Sequence, residues 1–189
     1  MALARLEAGN ARFAAGTPQH AEMTARALAL ESGQSPYAVV LGCSDSRVPI
    51  EIVFDQEPGD LFVVRVAGNF VNDDNLASVE FGVALLGAKL VVVLGHTRCG
   101  ALTAAVDYCE RGALPPGHIA RLAESLAPVA RAARSLPGDW ITNAIRENVA
   151  ANVAALTARS SILAAAVAAG EVQVAGGIYD LGTGRVTFG

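Results

Sequence analysis

The sequence predicts an α/β fold: a mainly parallel central β-sheet flanked by helices, with an N-terminal helical arm and a C-terminal edge strand. Short apolar runs at Tyr37–Gly42, Leu61–Val64 and Leu90–Gly95 read as strands buried on both faces. Between and after them lie stretches whose apolar residues recur at helical spacing. Strands alternating with helices imply parallel neighbours joined by helical crossovers.

The elements follow in order. Leu6 and Phe13 lie seven apart on a first helix, Gly16-Thr17-Pro18 breaks it, and Ala21 to Ala29 resumes a helical run. The first strand follows a Ser-Pro breaker, and the second follows the turn Glu57-Pro58-Gly59-Asp60. Asn75 to Leu86 is helical, with Leu76, Val79, Val83 and Leu86 in period. The third strand, Leu90–Gly95, is the most β-branched, and a helix follows from Ala101 to about Arg111. A Gly/Pro loop over 112–117 leads to helical patterns from Ile119 to Arg134 and from Trp140 to Ala169. Glu171–Tyr179 and Arg185–Phe188 read as a strand and a closing β segment around the turn Gly182-Thr183-Gly184. With no repeat, linker or charge block, the expectation is one domain over 1–189, with a helical arm over 1–33 and an α/β core over 34–189.

Composition narrows the function. The 189 residues are 52% apolar and 17% charged, the opposite of a disordered chain. A net charge of −4 offers no basic footprint for phosphates, which argues against a nucleic-acid partner. No run of about 18 apolar residues exists and the N-terminus has no signal-peptide core, so no membrane partner and a cytoplasmic location are expected. Charge-poor, apolar-rich composition also suggests that some apolar surface is buried between subunits.

Three cysteines are too few for a disulfide scaffold, so packing, metal binding and nucleophilic catalysis remain for them. Ligands of open parallel sheets bind at the carboxyl ends of strands. Two such exits carry chemistry: Gly42-Cys43-Ser44-Asp45-Ser46-Arg47, and Gly95-His96-Thr97-Arg98-Cys99-Gly100. Neither matches a phosphate-binding glycine pattern. Cys43, His96 and Cys99 offer two sulfurs and one imidazole, a set that suits zinc, with His96 and Cys99 three apart on a turn opening into a helix. Three protein ligands leave an open fourth position, as catalytic zinc sites do, and Asp45 is a candidate fourth ligand of a closed one. A lone cysteine or histidine is more often a packing or satisfied polar residue; the joint placement is what carries the metal reading. Cys109, ten residues past Cys99, lies roughly 15 Å along the helix and is expected to pack. Asp45 and Arg47, two apart in one loop, can form a bidentate pair that keeps the carboxylate off the metal.

The segments Cys43-Ser44-Asp45-Ser46-Arg47 and His96-Thr97-Arg98-Cys99-Gly100 resemble the CxDSR and HxxC pair of the β-class carbonic anhydrases. The likeness extends through Glu57–Phe62, Arg65–Asn69, Gly176–Leu181 and the N-terminal Leu6–Phe13, and covers nearly the whole chain. It implies zinc-dependent reversible hydration of CO2 to bicarbonate and a proton by zinc-bound hydroxide, with one Zn2+ per chain. Cys43, His96 and Cys99 would be the ligands. Asp45 and Arg47 would be the dyad that orients the hydroxide, and Gln34, Phe62 and Gly100 would contact substrate. Gln34 nine residues before Cys43, and Val40 where another subtype has a tryptophan, imply the Gln-containing, non-allosteric subtype. Phe81 departs from plant-like members, which carry a tyrosine there. The resemblance also implies a homodimer or a dimer of dimers, with active sites at the subunit interface and N-terminal helices wrapped over the partner.

Other readings stay open from sequence. The same metal site would serve a hydrolase of a CO2 analogue, carbon disulfide or carbonyl sulfide. A noncatalytic zinc-binding protein closed by Asp45 is the third, although such a site needs neither Arg47 nor Gln34. His118, in the Pro-Pro-Gly loop, is a proton-shuttle candidate or a solvated loop residue.

Overall fold

The structure, a computed structural model, describes residues 1–19 and 30–189. The expected helical run Ala21–Ala29 lies outside the described residues, as does His20. The elements are α1 (Ala2–Ala14), β1 (Ala38–Gly42), α2 (Ile50–Val53), β2 (Leu61–Arg65), α3 (Asp73–Ala84) and β3 (Leu90–His96). They continue with α4 (Gly100–Arg111), α5 (Ile119–Ala133), α6 (Trp140–Arg159), α7 (Ser161–Ala168), β4 (Gln173–Tyr179) and β5 (Val186–Phe188).

The strands form one sheet in the order β2-β1-β3-β4-β5. The first three pairings are parallel and β4–β5 is antiparallel, which makes β5 the expected C-terminal edge strand. Period-two alternation divides the core between two faces. Val39, Leu41, Val91 and Val93 pack with Val79 and Val83 of α3, Val149 and Leu156 of α6, and Leu163 of α7. Ala38, Val40, Leu90, Val92 and Leu94 face Leu6 of α1, Ile50 and Val53 of α2, and Phe54. Burial on both faces explains why β1 and β3 read as continuous apolar runs.

Apart from the short α2, which the sequence did not announce, three differences from the sequence expectation bear on the packing. Helix α3 starts two residues early because the Asn72 side chain accepts the Asn75 N–H at 2.8 Å and caps it. Strand β3 runs on through His96, which pairs with Tyr179 of β4. The single helix expected over 140–169 is two helices meeting at 96°. The break is at Ser160 (φ −116°, ψ 114°), whose hydroxyl accepts the Leu163 N–H at 3.0 Å and donates to Glu80 at 2.6 Å. That cap starts a new helix where the alanine-rich pattern gave no signal to stop. Among the described residues, no single helix is long and apolar enough to cross a membrane.

Helix α1 docks on the chain's own core. Asn10 donates to the carbonyls of Val53 (3.1 Å) and Gly184 (2.8 Å) and accepts the Val186 N–H (2.7 Å), tying α1 to α2 and β5. Gly9 allows the close approach: a Cβ there would lie 1.8 Å from the Phe54 carbonyl oxygen. In an exposed helix Gly→Ala is favourable by about 1 kcal/mol. Here Gly9→Ala is expected to destabilise the fold by about 1–3 kcal/mol through overpacking, read from urea unfolding. A stabilised variant would show that this docking is wrong.

Candidate metal centre

Parallel pairing of β1 with β3 sets Gly42 beside Leu94, so Cys43 and His96 emerge from neighbouring strands at the same end of the sheet. Cys99 returns to them because Arg98, at φ +57°, turns the chain sharply out of β3 and into α4. Cys99 is the N-cap residue of α4, and its hydrogen bond with Cys43 and its burial push its thiol up against the opposing pull of the Leu102 and Ala101 N–H groups. The ligand atoms of Cys43, His96 and Cys99 all lie within 4.8 Å of one another, and all three residues are buried. They could hold a metal ion.

The details fit that use. His96 is fully buried, and its Nδ1 lies 2.9 Å from the Thr97 carbonyl. A carbonyl can only accept, so Nδ1 carries the proton and the Nε2 lone pair points at the sulfurs. Nε2 is buried with no hydrogen-bond partner, a costly arrangement for a polar atom unless it serves as a ligand. Thr97 is itself held, its N–H donating to the Tyr179 carbonyl (2.9 Å) and its hydroxyl accepting the Leu181 N–H (3.0 Å). The hydrogen bond from the neighbouring Cys99 thiol, against opposing burial and together with the Gly68 N–H, lowers the Cys43 thiol below the ordinary cysteine range. Two sulfurs and one imidazole match zinc.

Asp45 lies beside this group, its Oδ2 3.9 Å from His96 Nε2. Arg47 grips both carboxylate oxygens, with Nε at 2.9 Å from Oδ1 and Nη2 at 2.7 Å from Oδ2, and its backbone N–H donates to Oδ1 at 2.9 Å. These bonds from Arg47 hold the Asp45 carboxyl well below the usual carboxylate range. Arg47 Nη2 also reaches the Arg98 carbonyl at 3.3 Å, which links the two strand exits.

Other sequence candidates sit apart. Gly100 opens α4 and is exposed, and a Cβ built there would meet nothing within 4 Å. Gln34 is exposed and precedes the amino end of β1, whereas Cys43 leaves the carboxyl end. Phe62 pairs with Val39, in the amino half of β1, and stacks on Phe81 with ring centroids 5.9 Å apart. Within one chain, Gln34, Phe62 and Phe81 are therefore separated from the Cys43–His96–Cys99 group by the length of the strand. Cys109 packs between α4 and α5, its sulfur 3.7 Å from the Ala127 carbonyl. His118 is exposed at the start of α5. A cavity of about 650 Å³ between α6 and the β4–β5 hairpin touches Thr97 but none of Cys43, Asp45, His96 or Cys99.

Arg65 belongs to the Arg65–Asn69 segment of the likeness, but the sequence assigned it no role. At the end of β2, opposite Gly42, it donates from Nε to the Cys43 carbonyl (2.9 Å) and from Nη2 to the Asp45 carbonyl (2.7 Å). Only the strand order brings it there, so no local pattern would have singled it out for that role.

The comparisons with known proteins agree with this geometry. A family model described as carbonic anhydrase matches residues 38–186. The chain is 41% identical over 184 residues to "Carbonic anhydrase 2" of Mycobacterium tuberculosis, an alignment covering 97% of this chain and 89% of that protein. Among solved structures, the β-carbonic anhydrase CafA of Aspergillus fumigatus superposes with a TM-score of 0.77 at 30% identity, covering 96% of this chain and 87% of that one. One of two tetrameric β-carbonic anhydrases of Sordaria macrospora gives 0.75 at 27% identity, covering 85% and 84% of the two chains. A buried Cys-His-Cys group at paired strand ends, on this sheet and in this sequence company, makes the chain a member of the β-carbonic anhydrase family.

Proposed function

We propose that the chain catalyses the reversible hydration of CO2 to bicarbonate and a proton, with one zinc ion held by Cys43, His96 and Cys99. The observation that carries the reading is the buried, unpartnered His96 Nε2 converging with two cysteine sulfurs beside a carboxylate locked by arginine. A zinc ion bound there supplies Lewis acidity that brings the ionisation of water into the neutral range. The names of the curated relatives point to the same reaction.

The residues divide the work. Arg47 holds Oδ1 of Asp45 by its backbone N–H and Nε, and Oδ2 by Nη2, which keeps the carboxylate from swinging into the metal group. Oδ2 alone keeps an acceptor position that Arg47 does not use. On the His96 side, Oδ2 would be placed to accept a hydrogen bond from an incoming water and so orient it for CO2. Because Asp45 is held ionised, it acts as an orienting acceptor over the whole neutral range and not as a proton store. Gly100 leaves open space at the mouth of α4 for substrate to approach.

Gln34 and Phe62 serve the site of a second copy of the chain. Their position at the amino ends of β1 and β2 supports this, as does the outer edge of β2, which has no strand partner among the described residues. The adjoining Phe81 and Leu85 are 46% and 70% exposed, an apolar surface that a second subunit would cover. A homodimer or a dimer of dimers then completes the pocket, working in the cytoplasm on small molecules, with 1–189 as one domain.

The first test pairs zinc stoichiometry with stopped-flow CO2 hydration. Cys43→Ser is expected to lose both metal and activity, while Asp45→Asn keeps about one zinc per chain and loses at least about 10-fold in rate. Normal hydration by Asp45→Asn would overturn the role of the dyad. The second follows the Asp45 carboxyl by NMR. Its folded pKa is depressed, so the pair with Arg47 is intact above the ordinary carboxylate value of about 3.9 and is lost only as pH falls well below it. No titration is expected down to about pH 3. In Arg47→Ala the midpoint should return toward about 3.9, and an unchanged midpoint would show that Arg47 is not the cause.

A further inference from the structure

We propose that Asn148, buried on α6, is a positioning residue for the metal centre: it sets the turn that aims the Gly68 N–H at the sulfur of Cys43. This rests on the reading of Cys43 as a metal ligand. The turn runs over Val66–Asn69, closed by the Asn69 N–H donating to the Val66 carbonyl at 3.0 Å. Gly68, at φ +88°, occupies the position where such a turn calls for glycine, and a Cβ there would lie 2.6 Å from Leu126 Cδ1. In this conformation its N–H lies 3.3 Å from Cys43 Sγ. Asn69 follows at φ +39°, so two successive residues hold left-handed backbone that must be stabilised from outside.

The outside support is a relay of side-chain amides whose direction is fixed at both ends. The Val71 N–H can only donate, and does so to Asn152 Oδ1 at 2.7 Å. Asn152 therefore turns its Nδ2 to Asn148 Oδ1 at 2.9 Å, which leaves Asn148 Nδ2 to donate to the Gly68 carbonyl at 2.9 Å. Asn148 and Asn152 are 1% and 7% exposed, so water does not readily replace them. Without the Asn148 amide, the buried Gly68 carbonyl loses its partner, and the turn must rotate to find another. Rotation about Gly68 carries its N–H off the sulfur. An N–H donated to a thiolate draws charge from it, so its loss alters both how tightly the sulfur holds a metal and how readily it gives up electron density.

Cobalt(II) substitution tests this without recourse to turnover. Wild-type protein loaded with cobalt(II) is expected to show a sulfur-to-cobalt charge-transfer band; absence of the band would count against the metal site itself, not against the role of Asn148. In Asn148→Ala the band should move to longer wavelength, and retention of cobalt against a chelator should fall about 10-fold or more. Asn148→Ser, which keeps an acceptor for Asn152 but is too short for Gly68, should behave alike and carries the test if the alanine variant does not fold. A residue with only a structural role would lower the melting temperature yet leave the band and the metal retention of the folded protein as in wild type. That result would overturn the proposal.

Discussion

The structure depends on the parallel pairing of β1 with β3. Both strands are covered on both faces, so nothing reactive fits within them, and their residues from Ala38 to Leu41 and from Leu90 to Leu94 are wholly apolar. Chemistry can start only where the strands end. The two glycines at those ends are imposed by packing: a Cβ on Gly42 would meet Ile50 Cδ1 at 2.5 Å, and one on Gly95 would meet Val149 at 2.6 Å. Close helix approach on opposite faces therefore brings the strand ends together, and Cys43 and His96 emerge side by side.

Strand ends also leave backbone donors and acceptors unpaired, and the Cys43–His96–Cys99 group and its neighbours use them. Arg65 takes the carbonyls of Cys43 and Asp45, the Thr97 carbonyl fixes the tautomer of His96, and the Gly68 N–H turns to Cys43. Each of these groups would otherwise cost free energy when buried. The same bonds that satisfy the ends of the sheet thus orient the candidate ligands, so stability and their geometry are not separable here. The guanidiniums of Arg47 and Arg65 also place positive charge beside two cysteines and an aspartate, which tempers the gathering of acidic groups at one point.

Much of this was legible in the sequence. Apolar runs mark buried strands because parallel sheets demand them, and Cys43, Asp45, Arg47, His96 and Cys99 stand at strand exits with recognisable spacing. What escaped depends on partners far along the chain. Ser160 caps α7 through the Leu163 N–H while its hydroxyl is held by the distant Glu80, and the alanines on either side fit one helix as well as two. Arg65 and Asn148 act on residues 20 to 80 positions away, and nothing in their own neighbourhoods distinguishes them from a solvated strand end or an ordinary helical asparagine. The turn between His96 and Cys99 was expected, but that Arg98 takes its left-handed position was not, because a left-handed arginine has no compositional mark.

Gln34 and Phe62 pose a different problem, since the proposed pocket needs them while their positions lie toward the amino ends of their strands. Strand direction decides the matter. In a parallel sheet every strand presents its carboxyl end on one side, so residues preceding β1 and opening β2 cannot turn to Cys43 without crossing the sheet. Edge position gives them another outlet. Strand β2 ends the sheet, and Phe62 reaches the surface through its stack with the half-exposed Phe81. Two copies meeting along that edge in opposite orientation would bring the amino end of each to the carboxyl end of the other. The low charge and high apolar content then have a structural reason, because the wall that completes each proposed pocket would come from the partner's surface.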